Sequence, residues 1–243
     1  MDRTLIKKYI DNQPKKVVAK MDLGKNKIEY QGILQGQVIK EIKGDEEMSR
    51  SFILTRLVNE LGYAPDRIEI EHEYTAGRPH TNTSRIDIVV RDAKGNAFLF
   101  IECKSPDAYA SDDRDQIIEE QLYKVAGMEK TEGKAVRYLV LYTTVETNEK
   151  VMDECIIIDT EKFPTFADWE LSRDFSNTLP ARYGKAQKTP YIKASAKDLE
   201  TDFTNDMLNQ LQTDLHNVLW GGGGTDDNEV FASLTNLILA KIQ

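Results

Sequence analysis

Residues 85–104 constrain the fold most strongly, because their pattern predicts two β-strands joined by a turn. The first strand alternates apolar residues from Ile86 to Val90, and the second contains the apolar run 98–101. Between them, residues 92–96 are rich in turn-forming side chains, with a glycine near the corner. The chain is therefore expected to form a hairpin of two largely buried strands here.

Charged residues lie beside the apolar positions of both strands. Side chains alternate between the two faces of a strand, so Glu102 and Lys104 point to the same face and Cys103 to the other. Asp87 faces away from its two apolar neighbours. Unpaired buried charges are costly, and two nearby carboxylates repel each other unless a cation lies between them. A hard divalent ion such as Mg²⁺, which prefers oxygen ligands, would relieve that repulsion.

A lysine beside such an ion can orient or deprotonate a water molecule, or hold a phosphate group. Asp87, Glu102 and Lys104 together would therefore suit the hydrolysis of a phosphodiester. Another interpretation stays open, in which these charges form a solvated hairpin tip with a Glu–Lys pair. A third is an acid–base hydrolase with two carboxylates, as in glycosidases, although few aromatic residues lie near Glu102 to bind a sugar.

Composition limits the class of protein. The 243 residues suffice for one sizeable domain with extensions, and 40% hydrophobic and 30% charged residues are typical of a soluble globular protein. The net charge of −9 argues against general nucleic-acid affinity, and we interpret the basic blocks in 1–20 and 175–197 as solvated surface. Without a membrane-length apolar run or a secretory signal, the chain is expected to be cytoplasmic. The two cysteines, Cys103 and Cys155, are expected to be buried thiols.

The remaining pattern predicts an α/β fold with a mixed central β-sheet flanked by helices and a C-terminal helical extension. One helix begins after Gly44 and ends at Gly62, and its apolar stripe, extended backward, includes Arg50 and Glu47. Further helices are expected over 4–10, 112–128, 164–170, 198–220 and 230–242. Further strands are expected over 17–19, 27–31, 68–74, 135–145 and 155–159, whereas 33–42 is ambiguous.

The charged residues of the hairpin resemble the core motif of the PD-(D/E)xK nucleases. Asp87 is followed, after fourteen residues, by Glu102-Cys103-Lys104, and each motif lies on an apolar strand. The Arg85-x-Asp87 lead-in is most similar to the N-terminal nuclease domain of type I restriction enzymes and of methylase-fused relatives. The resemblance implies a metal-dependent endonuclease that hydrolyses phosphodiester bonds of foreign DNA, with Mg²⁺, or alternatively Mn²⁺, as cofactor.

The resemblance also implies roles for individual residues of the hairpin. Asp87 and Glu102 would bind the metal, and the backbone carbonyl of Cys103 would add a ligand. Lys104 would orient or activate the attacking water.

Two helical residues gain expected roles from the same resemblance. The family has a Glu-Glu-x-x-Arg helix before the sheet, one acid of which joins the metal site, and Glu47 matches it within residues 46–50. A Gln-x-x-x-Tyr element follows the second strand in the family. Gln121 matches its first position, but the fourth residue after it is Val125, and Tyr123 would point elsewhere. Only the glutamine is therefore carried over, as a residue that supports the site.

The resemblance covers residues 44–160, and over residues 198–243 it rests on similar sequence alone, without a site motif. The latter segment is similar to the connector that precedes the adenine methylase region in fused restriction-modification proteins. We expect four parts: an N-terminal extension, the nuclease domain, a basic linker, and a helical connector to a missing downstream domain (1–43, 44–174, 175–197 and 198–243). The expected partners are double-stranded DNA, a downstream helicase or methylase domain and restriction-modification subunits. The alternative is a catalytically inactive nuclease-like module that docks DNA or a subunit.

Overall fold

The computed structural model describes residues 1–13, 16–76, 82–111, 113–131, 134–147 and 150–188, all within a unit that spans Met1–Asp198. The strands in these ranges are β1 (Ala19–Asp22), β2 (Lys27–Tyr30), β3 (Leu34–Gln35), β4 (Ile68–Ala76), β5 (Asn82–Arg91), β6 (Ala97–Cys103), β7 (Tyr138–Thr147) and β8 (Lys150–Asp159). The α-helices are α1 (Arg3–Asp11), α2 (Asp45–Asn59), α3 (Pro106–Tyr109), α4 (Arg114–Ile117), α5 (Lys124–Thr131) and α6 (Phe166–Ser172).

The strands form one large mixed sheet and one small sheet. β3 to β8 form a six-stranded sheet in chain order, whereas β1 and β2 pair antiparallel with each other. Within the large sheet the β3–β4 and β6–β7 pairs are parallel and the other pairs are antiparallel. A parallel pair needs a long crossover, which the helical segment from α3 to α5 provides between β6 and β7. The predicted α/β class with a mixed sheet flanked by helices is confirmed.

Each face of the large sheet buries its own apolar cluster. Helix α2 contributes Leu54 and Leu57 to one cluster, where both are fully buried with Ile88 and Ile101 from β5 and β6. The other cluster contains Leu122 from the segment between α4 and α5, together with residues of β6 and β7. Burial of one such leucine stabilises a fold by roughly 2 kcal/mol, so α2 is held firmly against the sheet. That packing fixes the polar end of α2 relative to β5 and β6.

The hairpin of β5 and β6 forms as the sequence predicts. The two strands pair antiparallel, with Ile88 opposite Ile101. In the turn, the Asp92 carboxylate accepts hydrogen bonds from the backbone N–H groups of Lys94 and Asn96, at 2.8 and 2.9 Å. The glycine of the turn has a φ of 84°, a conformation that side-chain-bearing residues rarely adopt.

Two helical predictions differ in detail from the structure. The helix predicted over 112–128 begins its α-helical part at Arg114 and contains a π-helical stretch, Ile118–Tyr123, before α5 continues to Thr131. The prediction depended on the 3.6-residue spacing of apolar residues, which one widened turn changes too little to reveal the π-helical stretch. Helix α2 ends at Asn59 with Glu60 as its C-cap, so Gly62 lies beyond the helix in a left-handed turn, with a φ of 76°.

The predicted connector over 198–243, with its two helices, lies outside the described residues, as do residues 189–197 of the predicted linker. Cys103 and Cys155 are buried, as expected. Among the described helices, none combines the length and apolar character that crossing a membrane requires.

Candidate active site

Asp87 lies in the middle of β5, and Glu102 lies near the C-terminal end of β6, close enough for Asp87 to contribute to the raised pKa of Glu102. The paired register of the two strands ends at Ile88 opposite Ile101, the residues next to Asp87 and Glu102 in the chain. The Oδ2 atom of Asp87 accepts a hydrogen bond of 2.7 Å from the backbone N–H of Cys103, the residue after Glu102. This hydrogen bond holds the Asp87 carboxylate against the end of β6 that carries Glu102.

Glu102 pairs with Lys104 but remains hard to ionise. The Lys104 ammonium donates to Oε1 of Glu102 at 2.7 Å, and Glu102 is only 7% exposed. Burial, followed by repulsion from Asp87, raises the pKa of Glu102 to about 8 despite the attraction of Lys104. A further cation beside Glu102 would offset this repulsion and stabilise the ionised form of its carboxyl.

Lys104 is held in its charged form. Burial alone would lower its pKa, but the carboxylates of Glu102, Glu46 and Asp87 outweigh that effect and raise the pKa above its ordinary value. Its ammonium is therefore a hydrogen-bond donor and a positive charge at neutral pH, and it is not available to accept a proton.

Arg50 lies at the centre of the acidic cluster. One terminal nitrogen of its guanidinium lies 2.9 Å from Oε2 of Glu47 and 2.9 Å from Oε1 of Glu71. The other terminal nitrogen contacts Oδ1 of Asp87 and lies 3.6 Å from Oε1 of Glu46. Arg50 is 4% exposed; burial opposes its charge, yet the carboxylates of Asp87 and Glu47 raise its pKa. Carboxylates from α2, β4 and β5 thus all contact the same buried guanidinium.

Glu47 is brought to this cluster by the first turn of α2. It is buried, and the hydroxyl of buried Tyr30 donates to its Oε1 while Arg50 binds its other oxygen. Burial raises the pKa of the Glu47 carboxyl. Because Arg50 links Glu47 to Asp87, the contact of Glu47 with the predicted metal ligands runs through the guanidinium.

Glu71 is a member of the cluster that the sequence does not reveal. It lies within β4 with a φ of 55°, a left-handed conformation that strains a residue with a side chain. Its two oxygens bind different arginines, Arg50 at 2.9 Å and the half-exposed Arg85 at 3.2 Å. In the sequence, the acids at 69, 71 and 73 form one regular alternation, so nothing distinguishes Glu71 from its neighbours.

An open cleft of about 670 Å³ borders the cluster. Part of its wall is formed by Glu47, Arg50 and Glu71. Basic side chains from the loop before α2 and from β5 line the cleft as well. These basic residues are Lys40, Lys43 and Arg85.

The amide oxygen of Gln121 accepts no hydrogen bond from the described residues of the acidic cluster. Gln121 lies in the π-helical stretch, and among the described residues that buried oxygen has no hydrogen-bond partner. Tyr123 points elsewhere, as expected, because its hydroxyl donates to the carbonyl of Phe163 at 3.0 Å. π-Helical turns occur frequently at functional sites, so the unpaired oxygen stays a candidate for binding water or substrate.

Within the described ranges, no group of three or more His, Cys, Asp or Glu side chains is arranged to hold a metal ion. The arginine contacts explain why the carboxylates are spread apart, since Glu47, Glu71 and Asp87 surround the Arg50 guanidinium. The predicted metal and catalytic roles of Asp87, Glu102, Cys103, Lys104, Glu47 and Gln121 stay predictions.

Comparison with known families gives one match. Residues 45–129 match the family model described as the type I restriction enzyme R protein N terminus. None of the curated proteins matches the chain. The matched range begins at the first residue of α2 and includes both strands of the hairpin, and it is consistent with a nuclease module of a restriction system. The resemblance drawn from the motifs is confirmed, because over these residues the chain is similar to the N-terminal region of type I restriction enzyme R proteins.

Proposed function

We propose that this chain carries the Mg²⁺-dependent DNA endonuclease domain of a type I-like restriction-modification enzyme. The observation that carries the proposal is the proximity of Asp87 and Glu102 on two neighbouring strands, with Lys104 bound to Glu102. The family match over residues 45–129 supports a restriction-system module that contains these three residues.

The donor set fits a hard divalent ion. Asp87 and Glu102 offer carboxylate oxygens, and repulsion between them contributes to the raised pKa of Glu102. Mg²⁺, or alternatively Mn²⁺, would be held by these two carboxylates and by the backbone carbonyl of Cys103. When bound, such an ion polarises a phosphate oxygen and lowers the pKa of a coordinated water.

The protein's own residues have separate tasks in this proposal. Lys104 stays charged, so it orients the attacking water or a phosphate oxygen by donating a hydrogen bond, and it does not take the proton of the water. Glu47 acts through Arg50, which it shares with Asp87, and so helps to fix the position of the Asp87 carboxylate. Gln121 offers an unpaired amide oxygen that would hold a water molecule or the substrate.

DNA would enter through the cleft beside the acidic cluster. Lys40, Lys43 and Arg85 line that cleft and carry the charge that phosphate groups require. The chain as a whole has a net charge of −9, so these few contacts would give only weak affinity. We therefore propose that the stronger grip on DNA comes from the other domains and subunits of the restriction-modification system.

A catalytically inactive docking module is the second candidate. The observation that favours it is that the carboxylates already have cationic partners, Arg50 and Lys104, within the chain. Such a module would bind DNA or a subunit without a metal.

Nicking of supercoiled plasmid DNA in Mg²⁺ or Mn²⁺ tests the proposal. Wild type should nick, and Lys104→Ala should lose about 100- to 1,000-fold of the rate, as expected when one preorganised donor is removed. Lys94→Ala is the matched control, because Lys94 is an exposed lysine on the turn of the same hairpin. Nicking unchanged by Lys104→Ala would contradict the mechanism.

Titration with Mn²⁺ separates the two candidates even without nicking. The endonuclease proposal requires that wild type bind Mn²⁺ and that Asp87→Asn abolish the binding, because Asp87 would be a direct ligand. Absence of Mn²⁺ binding by wild type, together with binding of a DNA duplex in EDTA, would favour the docking module.

A further inference from the structure

We propose that Arg50 is a resident cation of the site and limits it to a single divalent ion, bound between Asp87 and Glu102. This inference rests on the proposed function, because it concerns the number of ions that the nuclease site accepts. It assigns a positioning role to a residue that would touch neither the substrate nor the ion.

The contacts of Arg50 are those that a second ion would need. Its terminal nitrogens contact Glu47, Glu71 and Asp87, which approach from three different elements. A second divalent ion on this side of Asp87 would have to bind the same oxygens. Because a guanidinium keeps its proton at any pH at which the protein is folded, the position cannot be vacated by deprotonation.

Asp87 divides its two oxygens between the two sides of the site. Oδ1 contacts Arg50, whereas Oδ2 accepts the backbone hydrogen bond from Cys103 on the side of Glu102. A carboxylate oxygen has two lone pairs, so Oδ2 retains one that is able to bind an ion shared with Glu102. The geometry thus leaves one place for a divalent ion and fills the other with Arg50.

The charge balance keeps the remaining place attractive to a cation. Arg50 brings one positive charge to four carboxylates within 4 Å, those of Glu46, Glu47, Glu71 and Asp87. Arg50 therefore cannot neutralise the cluster alone, and a negative surplus persists beside Glu102. The guanidinium organises the cluster without replacing the divalent ion.

Backbone strain indicates that the position of Arg50 is built into the fold. The left-handed φ of 55° at Glu71 costs on the order of 1 kcal/mol, yet it is retained where Glu71 binds Arg50 and Arg85. Gly36, which directly follows β3, permits this backbone conformation, because a Cβ there would lie 2.3 Å from the carbonyl oxygen of Glu71.

Counting bound Mn²⁺ by electron paramagnetic resonance and calorimetry tests the inference without measuring activity. Wild type should bind one ion per chain, and Arg50→Gln should bind two, because the vacated carboxylates gain a place for the second. Arg85→Gln is the matched control: it removes the same unit charge from the other oxygen of Glu71 but leaves the Arg50 position filled. It should still bind one ion.

Each outcome decides between alternatives. Two ions in wild type, or a single ion in Arg50→Gln, would overturn the inference and leave the proposed nuclease intact. If Arg85→Gln also binds a second ion, the increase results from the change in net charge and not from the vacated Arg50 position, and the inference is overturned. No bound ion in wild type would instead refute the proposed metal site itself. If Arg50→Gln does not fold, the wild-type count and Arg50→Lys decide, since the lysine ammonium should keep the count at one.

Discussion

Replacing Glu102 by glutamine should stabilise the fold at neutral and alkaline pH. Burial, and then repulsion from Asp87, raise the pKa of Glu102 from an ordinary value of 4.5 to about 8 in the native state. Between these two values the native state holds a proton that the unfolded chain has released. The contribution of Glu102 to the free energy of unfolding is therefore fully present below pH 4.5 and is lost as the pH rises towards 8. Glutamine resembles the protonated acid but does not ionise, so this loss of stability with rising pH does not occur in the Glu102→Gln variant.

The size of the effect follows from the difference between the two pKa values. The stability lost by wild type grows by about 1.4 kcal/mol per pH unit, to roughly 3 kcal/mol at pH 7 and roughly 5 kcal/mol above pH 8. The amide oxygen of glutamine can still accept the hydrogen bond from Lys104. The expected gain is therefore near zero at pH 4.5 and should be largest around pH 8.

Urea unfolding in EDTA at pH 5, 6, 7 and 8, followed by circular dichroism, measures this difference. Glu119→Gln is the matched control, because Glu119 is an exposed carboxylate on the π-helical stretch. Its effect should not change over this range. Adding Mg²⁺ at pH 8 should stabilise wild type and leave Glu102→Gln unaffected, since only the ionised carboxylate binds the ion. A gain independent of pH, or a loss at pH 8, would refute the reasoning about Glu102.

Two further substitutions test the construction of the acidic cluster. Gly36→Ala should destabilise the fold by about 2 kcal/mol or more, because its Cβ would clash with the Glu71 carbonyl. Gly44→Ala is the control and should cost little, because the space around the added carbon is open. Urea unfolding compares the stabilities of the two variants. Tyr30→Phe should cost about 1–3 kcal/mol by the same assay, because it removes a buried donor from Glu47, and an unchanged midpoint would show that this hydrogen bond contributes nothing.

Much of the fold and the pairing of two site residues follow from local sequence signals. Alternating apolar residues and a glycine-containing turn specify the β5–β6 hairpin, and its pairing brings the segments that carry Asp87 and Glu102 together. The apolar stripe of α2 likewise carries Glu47 and Arg50 towards the core, where both are buried. These features depend on residues close together in the chain, or on a simple periodicity, so one sequence suffices to predict them.

The partners of Arg50 could not be predicted in the same way. Glu71 reaches it because the backbone of β4 leaves the extended conformation beside β3, and that depends on packing between strands. The π-helical stretch around Gln121 is also hidden, since one widened turn barely changes the spacing of apolar residues. Both features determine the orientation of side chains near the site, which the spacing of apolar residues in the sequence does not specify.

The two cations of the site have tasks that they could not exchange. Arg50 is buried, binds three carboxylates at once and cannot lose its proton, which suits a group that holds the acids in place. Among the described residues Lys104 forms its ion pair with Glu102, and its stem is flexible, which suits a group that moves with water or phosphate. Since the surrounding acids keep Lys104 protonated, the proposed reaction would release the proton of the attacking water to solvent or to a phosphate oxygen and not to Lys104. Burial and repulsion from Asp87 keep the pKa of Glu102 raised even beside Lys104, so a divalent ion bound there would stabilise the ionised form of this carboxyl.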